Sequence, residues 1–164
     1  KELITKHNIQ IIHQTGKKNY EEYMASLIEK WPEFSSNSDY VIRPYFDDIS
    51  IPLAAADLAI SRAGSLSISE LNICGLPSIL VPYPFAAGDH QKFNAKTMEK
   101  SGASIFLEDS ECKSQNIIKL VLELFENPEK LNLMKDNNLK LAKPDAASNL
   151  VNVLKTVVKR GKYQ

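Results

Sequence analysis

Apolar positions recur along the chain with two different spacings, and these spacings predict a regular succession of strands and helices. A short β-rich run covers residues 8–13 and ends at a Thr-Gly turn. From Tyr20 to Trp31 the large apolar side chains recur every three or four residues, which is typical of one helix face, and Pro32 ends that helix. Further strands are predicted at residues 40–42, 58–60, 78–81 and 103–107, and further helices at 49–56, 67–74, 90–101, 114–125, 128–141 and 146–159.

Short strands that alternate with helices predict an α/β fold, a parallel sheet with helices on both faces. Doubly wound nucleotide-binding domains open with a strand, a glycine-rich turn and a helix. This chain instead begins in what resembles the tail of a helix, at residues 1–6, directly before its first strand. We therefore expect a Rossmann-like domain whose first strand-turn-helix unit is truncated. We expect one domain over residues 1–164, closed by a helix at about 146–160.

Composition and charge exclude several classes of protein. With 43% hydrophobic residues in 164, the chain has enough apolar material for one core, which excludes intrinsic disorder. Twenty basic residues balance 20 acidic ones, so the charge gives no indication of a nucleic-acid partner. Cys74 and Cys112 lie outside any zinc or disulfide pattern, which favours the cytoplasm. No apolar window is long enough to predict a membrane span.

The segment Ser61–Glu70 is the loop richest in candidate chemistry, since ligands of open α/β sheets bind at the carboxyl ends of strands. Gly64 permits a tight turn from strand to helix, and the small serines that follow leave backbone N–H groups open. This combination suits a phosphate or diphosphate. Glu70 would then accept hydrogen bonds from the vicinal hydroxyls of a sugar. The alternative is that Ser67 is an N-cap and Glu70 its capping-box partner, and the spacing does not separate the two.

The loop at residues 82–94 is stiffened by two prolines and a glycine. Gln91 and Asn94 share one face of the following helix, where they could hydrogen-bond a neutral, polyhydroxylated ligand. Asp89 is expected to be the N-cap of that helix, because it and its neighbour His90 do not converge on a metal. The absence of a GxSxG motif argues against a serine hydrolase.

Two more strand ends carry polar or exposed groups. His13 and Gln14 end the first strand, and a lone histidine there is more often structural than catalytic. Phe46 follows the second strand, where its backbone could meet a base. The alternative for Phe46 is a core aromatic.

In order along the chain, several segments resemble the C-terminal half of the MurG family. These bacterial enzymes transfer N-acetylglucosamine from UDP-N-acetylglucosamine to lipid I, which makes lipid II for peptidoglycan. The segments are residues 12–17, 45–49, 61–70, 74–84, 89–95 and 99–103. The resemblance covers nearly the whole chain, and it implies the GT-B architecture of two Rossmann-like domains facing a cleft.

The resemblance also implies a set of donor-binding residues. Phe46 would meet the uracil through its main chain, Glu70 would bind the ribose hydroxyls, and Arg62 would shape the loop with Gly64. Gln91, together with Asn94, would lie on the donor-sugar side. The complete implied set is Phe46, Arg62, Gly64, Ser65, Leu66, Ser67, Ile68, Ser69, Glu70, Gln91 and Asn94.

The implied reaction is an inverting hexosyl transfer, in which the base lies on an N-terminal acceptor domain. That domain and the Gly-Gly-Ser turn of the family are absent from this chain, which begins with Lys1. We therefore expect no catalytic residue in the chain and no turnover by it alone. No DxD pair predicts a metal, and no cofactor is expected. The implied partners are UDP-N-acetylglucosamine, lipid I through the missing domain, and the cytoplasmic face of the bacterial inner membrane, as a peripheral protein.

Two other functions stay open on the sequence. One is the donor domain of a different GT-B enzyme, such as a glycolipid glycosyltransferase or a UDP-sugar epimerase. The other is a non-enzymatic nucleotide-sugar binding module that needs a partner.

The last helix combines an apolar stripe with basic residues. We expect the stripe to pack on the sheet or on the missing domain, and the alternative is an anionic membrane surface. The stripe is Leu150, Leu154, Val157 and Val158, and the basic residues are Lys155, Lys159, Arg160 and Lys162.

Overall fold

Strands and helices alternate along residues 1–161, which are the residues that the computed structural model describes, with side chains through Val158. The strands are β1 (Ile11–Gln14), β2 (Tyr40–Arg43), β3 (Ala59–Ser61), β4 (Ser78–Leu80) and β5 (Ser104–Phe106). The α-helices are α1 (Glu2–His7), α2 (Tyr20–Lys30), α3 (Ser50–Ala55), α4 (Ser65–Cys74), α5 (His90–Lys100), α6 (Ser114–Phe125), α7 (Pro128–Leu141) and α8 (Ala146–Gly161). Short 3-10 helices lie at Pro32–Ser36, Ala87–Asp89 and Asp109–Glu111.

All strand pairs are parallel, which confirms the predicted α/β fold. The strands form two hydrogen-bonded groups, β1-β2 and β3-β4-β5, where the sequence predicts one sheet. In the first group Ile11 lies opposite Tyr40. In the second, β4 is central, with Ile79 opposite Ile60 on one side and Ile105 on the other. The loops that follow β3, β4 and β5 therefore leave the same edge of one sheet.

The side chains around β4 alternate between two faces, and helices cover both. Leu80 packs with Leu71 of α4 and Met98 of α5. Ile79 lies in a second cluster with Leu124 of α6, and both of these side chains are fully buried. The prediction of helices on both faces is confirmed for this sheet.

Several helix ends follow from local sequence, as predicted. Gly75 ends α4 with φ +60°, and the hydrogen bonds Gly75 N–H to Asn72 O and Leu76 N–H to Leu71 O form a Schellman motif. Asn127 begins α7 because its side chain accepts a hydrogen bond from Lys130 N–H at 3.0 Å.

The start of the first strand differs from the prediction. β1 begins at Ile11 rather than at residue 8, because Asn8 takes the left-handed conformation (φ 54°) and ends α1 through a bond from its N–H to Leu3 O. Asparagine adopts this conformation more readily than most residues.

The described part of α8 does not pack on the sheet. Its predicted apolar stripe, Leu150, Leu154, Val157 and Val158, is between 55% and 61% exposed. The expectation that this stripe packs on the sheet is therefore wrong, while packing on another domain stays a prediction. The side chains of Lys159, Arg160 and Lys162 lie outside the described residues. Among the helices described, none has the length and apolar character needed to cross a bilayer.

Candidate functional site at the carboxyl ends of the strands

The N-terminus of α4 is open. Gly64 is its N-cap in an extended conformation (φ −68°, ψ 145°), and no side chain caps the helix. The first backbone bond of α4 runs from Ile68 N–H to Gly64 O at 3.0 Å. The N–H groups of residues 65–67 therefore have no hydrogen-bond acceptor among the residues described here. Such groups, aligned with the helix dipole, attract anions.

The capping-box alternative for Ser67 and Glu70 is wrong. α4 begins at Ser65, two residues earlier than predicted, so Ser67 lies in the first turn and cannot be the N-cap. Ser69 donates its hydroxyl to Ser65 O at 2.9 Å. Glu70 is half-buried and makes no ion pair or side-chain hydrogen bond with the rest of the described chain. Its carboxylate is thus available to a ligand.

Arg62 fastens the loop after β3 to the two neighbouring strand ends. Its guanidinium donates to Val81 O at 3.3 Å and to Pro82 O at 3.1 Å, directly after β4. It also pairs with Asp109 after β5 at 2.5 Å and lies 5.6 Å from the centre of the Tyr83 ring. The loop-shaping role expected of Arg62 has this geometric basis, and it brings the three strand ends together.

Gln91 and Asn94 each use part of the side-chain amide on a neighbouring backbone. Asn94 Nδ2 donates to Ala63 O at 3.1 Å, and Gln91 Oε1 accepts from Tyr83 N–H at 3.0 Å. These bonds hold the loops after β3 and β4 against the start of α5. The Nε2 group of Gln91 and the Oδ1 atom of Asn94 make no hydrogen bond with other described residues, so each side chain keeps polar capacity for a ligand.

Asp89 occupies the predicted N-cap position of α5 but does not cap it with its side chain. Its backbone is left-handed (φ 53°), and no side-chain hydrogen bond is formed. Beside it, Lys92 pairs with Glu108 at 2.5 Å. The hydrogen bond and charge of Glu108 raise the pKa of the Lys92 ammonium group. This pair links α5 to the segment after β5.

Phe46 lies after β2 and is half-buried, and it is not among the buried hydrophobic side chains that form the core. The core-aromatic alternative is therefore wrong. Its backbone N–H donates to Gln14 Oε1 at 2.9 Å. Its backbone carbonyl accepts no hydrogen bond from the described residues.

Asp48, two residues further along, accepts a hydrogen bond from the Ser50 hydroxyl at 2.6 Å and another from the Ser50 N–H at 2.9 Å. These two bonds lower the pKa of Asp48.

His13 belongs to a polar cluster inside the β1-β2 unit. The Tyr40 hydroxyl lies 3.0 Å from His13 Nδ1 and 2.5 Å from the Tyr23 hydroxyl. Burial lowers the pKa of His13, and burial with the Tyr23 hydrogen bond raises the pKa of Tyr40. Both groups are thus neutral at pH 7. The cluster ties α2 to the two strands, in agreement with a structural role for His13.

Known proteins show to which family the chain belongs. Residues 1–150 match the model of the glycosyltransferase family 28 C-terminal domain. The chain belongs to this domain family. It is 40% identical over 151 residues to UDP-N-acetylglucosamine–N-acetylmuramyl-(pentapeptide) pyrophosphoryl-undecaprenol N-acetylglucosamine transferase of Halothermothrix orenii. The matched region covers 92% of this chain and 41% of that protein. The transferase of the same name from Moorella thermoacetica is 34% identical over 161 residues, 98% of this chain and 43% of that protein.

A solved structure extends the comparison to the fold. The family 28 domain described here superposes on MurG of Acinetobacter baumannii with a TM-score of 0.72 at 28% identity. The match covers 90% of this chain and 41% of that one. The domain therefore spans about two fifths of the length of the proteins that it matches.

Sequence reasoning missed two side-chain contacts that organise this family 28 domain. Asp109 pairs with Arg62 across 47 positions, and Gln14 reaches Phe46 across 32 positions. Neither pair leaves a local signal, because each partner lies on a different strand end. The hydrogen bonds of the candidate site fall into two groups, one around Arg62 and one around Phe46. No hydrogen bond between described residues links one group to the other.

Proposed function

We propose that this domain binds UDP-N-acetylglucosamine as the sugar donor of a glycosyltransferase that converts lipid I to lipid II. The observation that carries the proposal is the open N-terminus of α4 with the unpaired carboxylate of Glu70 one turn further on. An anion site followed by a free acidic side chain suits a diphosphate joined to a ribose. The names of the relatives support the same donor.

Each part of the donor has its own group of residues in this proposal. The N–H groups of residues 65–67 bind the diphosphate, and Glu70 accepts hydrogen bonds from the ribose hydroxyls. The Phe46 main chain meets the uracil, while Gln91 and Asn94 bind on the sugar side. The complete proposed set is Phe46, Arg62, Gly64, Ser65, Leu66, Ser67, Ile68, Ser69, Glu70, Gln91 and Asn94.

The contribution of this domain to the reaction is electrostatic. The C4 hydroxyl oxygen of the acceptor attacks the anomeric carbon, the bond to the diphosphate breaks, and UDP leaves with inversion. Negative charge grows on the leaving diphosphate, where the N–H groups at residues 65–67 would stabilise it. A base on the acceptor domain would take the hydroxyl proton, so the proposal places no catalytic residue in residues 1–164 and requires no metal.

The wider setting follows from the acceptor. Lipid I would be bound by a second domain, and the enzyme would act as a peripheral protein at the cytoplasmic face of the bacterial inner membrane. Residues 1–164 form a single donor-binding domain in this proposal, closed by α8. The exposed stripe of α8, which includes Leu150 and Val157, is free to pack on that second domain.

Replacing Gly64 with serine tests the anion site. The backbone of Gly64 (φ −68°, ψ 145°) suits a serine N-cap, and an added Cβ meets only Ser67 Oγ at 3.9 Å. Serine would therefore cap α4 and keep or raise its stability. The side-chain oxygen of the serine would also accept a hydrogen bond from one of the N–H groups that are proposed to bind the diphosphate. We therefore expect calorimetry to show UDP affinity at least about tenfold lower.

The control is Lys113→Ser at the N-cap of α6, which is also extended (φ −99°, ψ 151°) and lacks a side-chain cap. That variant gains the same kind of cap away from the site and should bind UDP like the unaltered chain. Equal UDP affinity in the Gly64→Ser variant would contradict the anion site.

A further inference from the structure

We propose that the ion pair between Lys92 and Glu108 positions the sugar-binding start of α5, an inference that rests on the proposed function. Lys92 follows Gln91 directly in the first turn of α5, and Asn94 lies two residues further on. The Lys92 ammonium group lies 2.5 Å from a carboxylate oxygen of Glu108, which comes two residues after β5. The pair thus ties the turn that carries both sugar-side residues to the neighbouring strand end.

One face of α5 is attached to β5 and the segment after it through three side chains. Besides Lys92, Lys96 Nζ lies 5.6 Å from the centre of the Phe106 ring, and Glu99 Oε1 accepts the Phe106 N–H at 3.2 Å. Residues 92, 96 and 99 share one face of the helix because they lie four and three positions apart. Lys96 and Glu99 hold the middle and the end of α5, so of these three contacts the pair with Glu108 is the one that acts on the first turn.

The first turn of α5 contributes no buried side chain, since the buried residues of this helix begin at Ala95. No described side chain caps the helix, and Asp89 at the N-cap position is left-handed (φ 53°). Gln91 and Asn94 bond to the backbone of the neighbouring loops, but they are also the residues proposed to bind the sugar. The pair with Glu108 restrains the same turn without using either amide.

The charges of the pair separate its effect on the sugar from its effect on the diphosphate. Glu108 carries the negative charge, so its neutralisation favours an anionic ligand and does not by itself weaken diphosphate binding. N-acetylglucosamine is neutral, and its binding in this proposal depends on the positions of Gln91 and Asn94. Loss of the pair should therefore weaken the binding of UDP-N-acetylglucosamine, while UDP affinity stays the same or rises slightly.

The test replaces Glu108 with glutamine, which keeps the shape of the side chain and removes its charge. Calorimetry should show affinity for UDP-N-acetylglucosamine about two- to fivefold lower, because exposed ion pairs contribute modestly, and UDP affinity no lower than in the unaltered chain. The melting temperature should stay nearly unchanged, since the side chains of Lys92 and Glu108 are 42% and 38% exposed. The matched control is Glu2→Gln, which removes another exposed ion pair, with Lys6 at 3.2 Å on α1, and should bind both ligands normally.

A charge swap provides the rescue. Lys92→Glu places two carboxylates beside each other and should lower the ratio of UDP-N-acetylglucosamine to UDP affinity further than Glu108→Gln does. The double variant Lys92→Glu/Glu108→Lys restores an ion pair in the opposite orientation, and the ratio should return towards its original value. A role of the pair in stability alone would not move this ratio, because both ligands depend equally on the folded state.

Three results would count against the inference. An unchanged affinity ratio in Glu108→Gln, or equal weakening of both ligands, would overturn it while the proposed function stands. A double variant that keeps the low ratio of Lys92→Glu would overturn it as well. Failure of the unaltered chain to bind either ligand would overturn the proposed function, and the inference with it.

Discussion

UDP binding is expected to weaken at least about 100-fold when Glu70 is replaced by alanine, while the fold stays intact. A carboxylate that accepts hydrogen bonds from two ribose hydroxyls contributes about 1.5–3 kcal/mol per bond, and about 1.4 kcal/mol corresponds to tenfold in affinity. Glu70 has no ionic or hydrogen-bond partner among the described side chains, so its removal breaks no internal bond. Calorimetry with UDP measures the affinity, and thermal unfolding measures the stability.

Two further variants make this result specific. Glu70→Gln keeps the shape and one acceptor oxygen but loses the charge, so we expect a smaller loss of affinity. Glu123→Ala is the control, since Glu123 lies on α6 with its side chain 53% exposed and pairs only weakly with Lys119 at 3.7 Å. It should bind UDP normally. Normal UDP affinity in Glu70→Ala would remove Glu70 from the proposed site.

The largest effect on stability is expected for Gly75→Ala. Gly75 has φ +60°, where an L-residue is disfavoured by about 1–2 kcal/mol. An added Cβ would also lie 2.9 Å from Leu139 Cγ and 3.0 Å from its Cδ2, which forces α7 or the side chain to move. Together these costs should lower the free energy of unfolding by about 3 kcal/mol. Chemical denaturation measures this change.

Gly88 provides a matched control for the close contact. It has nearly the same backbone conformation (φ +59°), but an added Cβ would meet nothing within 4 Å. Gly88→Ala should therefore show only the conformational cost, about 1 kcal/mol. If both variants lost the same stability, the contact between Gly75 and Leu139 would not constrain the packing of α4 against α7.

The sequence predicts those features of the fold that depend on neighbouring residues. Glycine at position 75 and the Asn-Pro pair at 127–128 mark helix ends through local backbone chemistry, and both marks are confirmed. The start of α4 is harder to predict, because Ser65 and Ser67 are both favourable near a helix start. The N-cap is Gly64 instead. Because glycine has no side chain to cap the helix, the first N–H groups of α4 stay free for the proposed site.

Local sequence patterns do not predict the contacts between strand ends. The bond from Phe46 to Gln14 and the contacts of Arg62 to Asp109 and Pro82 depend on which loops the fold brings together. The division of the strands into two hydrogen-bonded groups likewise depends on tertiary structure. A resemblance to known proteins points to the loops of the proposed site, and the geometry then adds the residues that hold these loops.

The central claim is that the carboxyl ends of these strands bind a UDP-sugar. Its most direct test is a titration of the 15N-labelled chain with UDP-N-acetylglucosamine, followed by NMR, with UDP-glucose as the comparison. We predict saturable shifts at the backbone amides of residues 65–70 and of Phe46 and Gln91, with tighter binding of UDP-N-acetylglucosamine. Unchanged amides at residues 65–70 under saturating ligand, or shifts confined to other surfaces, would contradict the account.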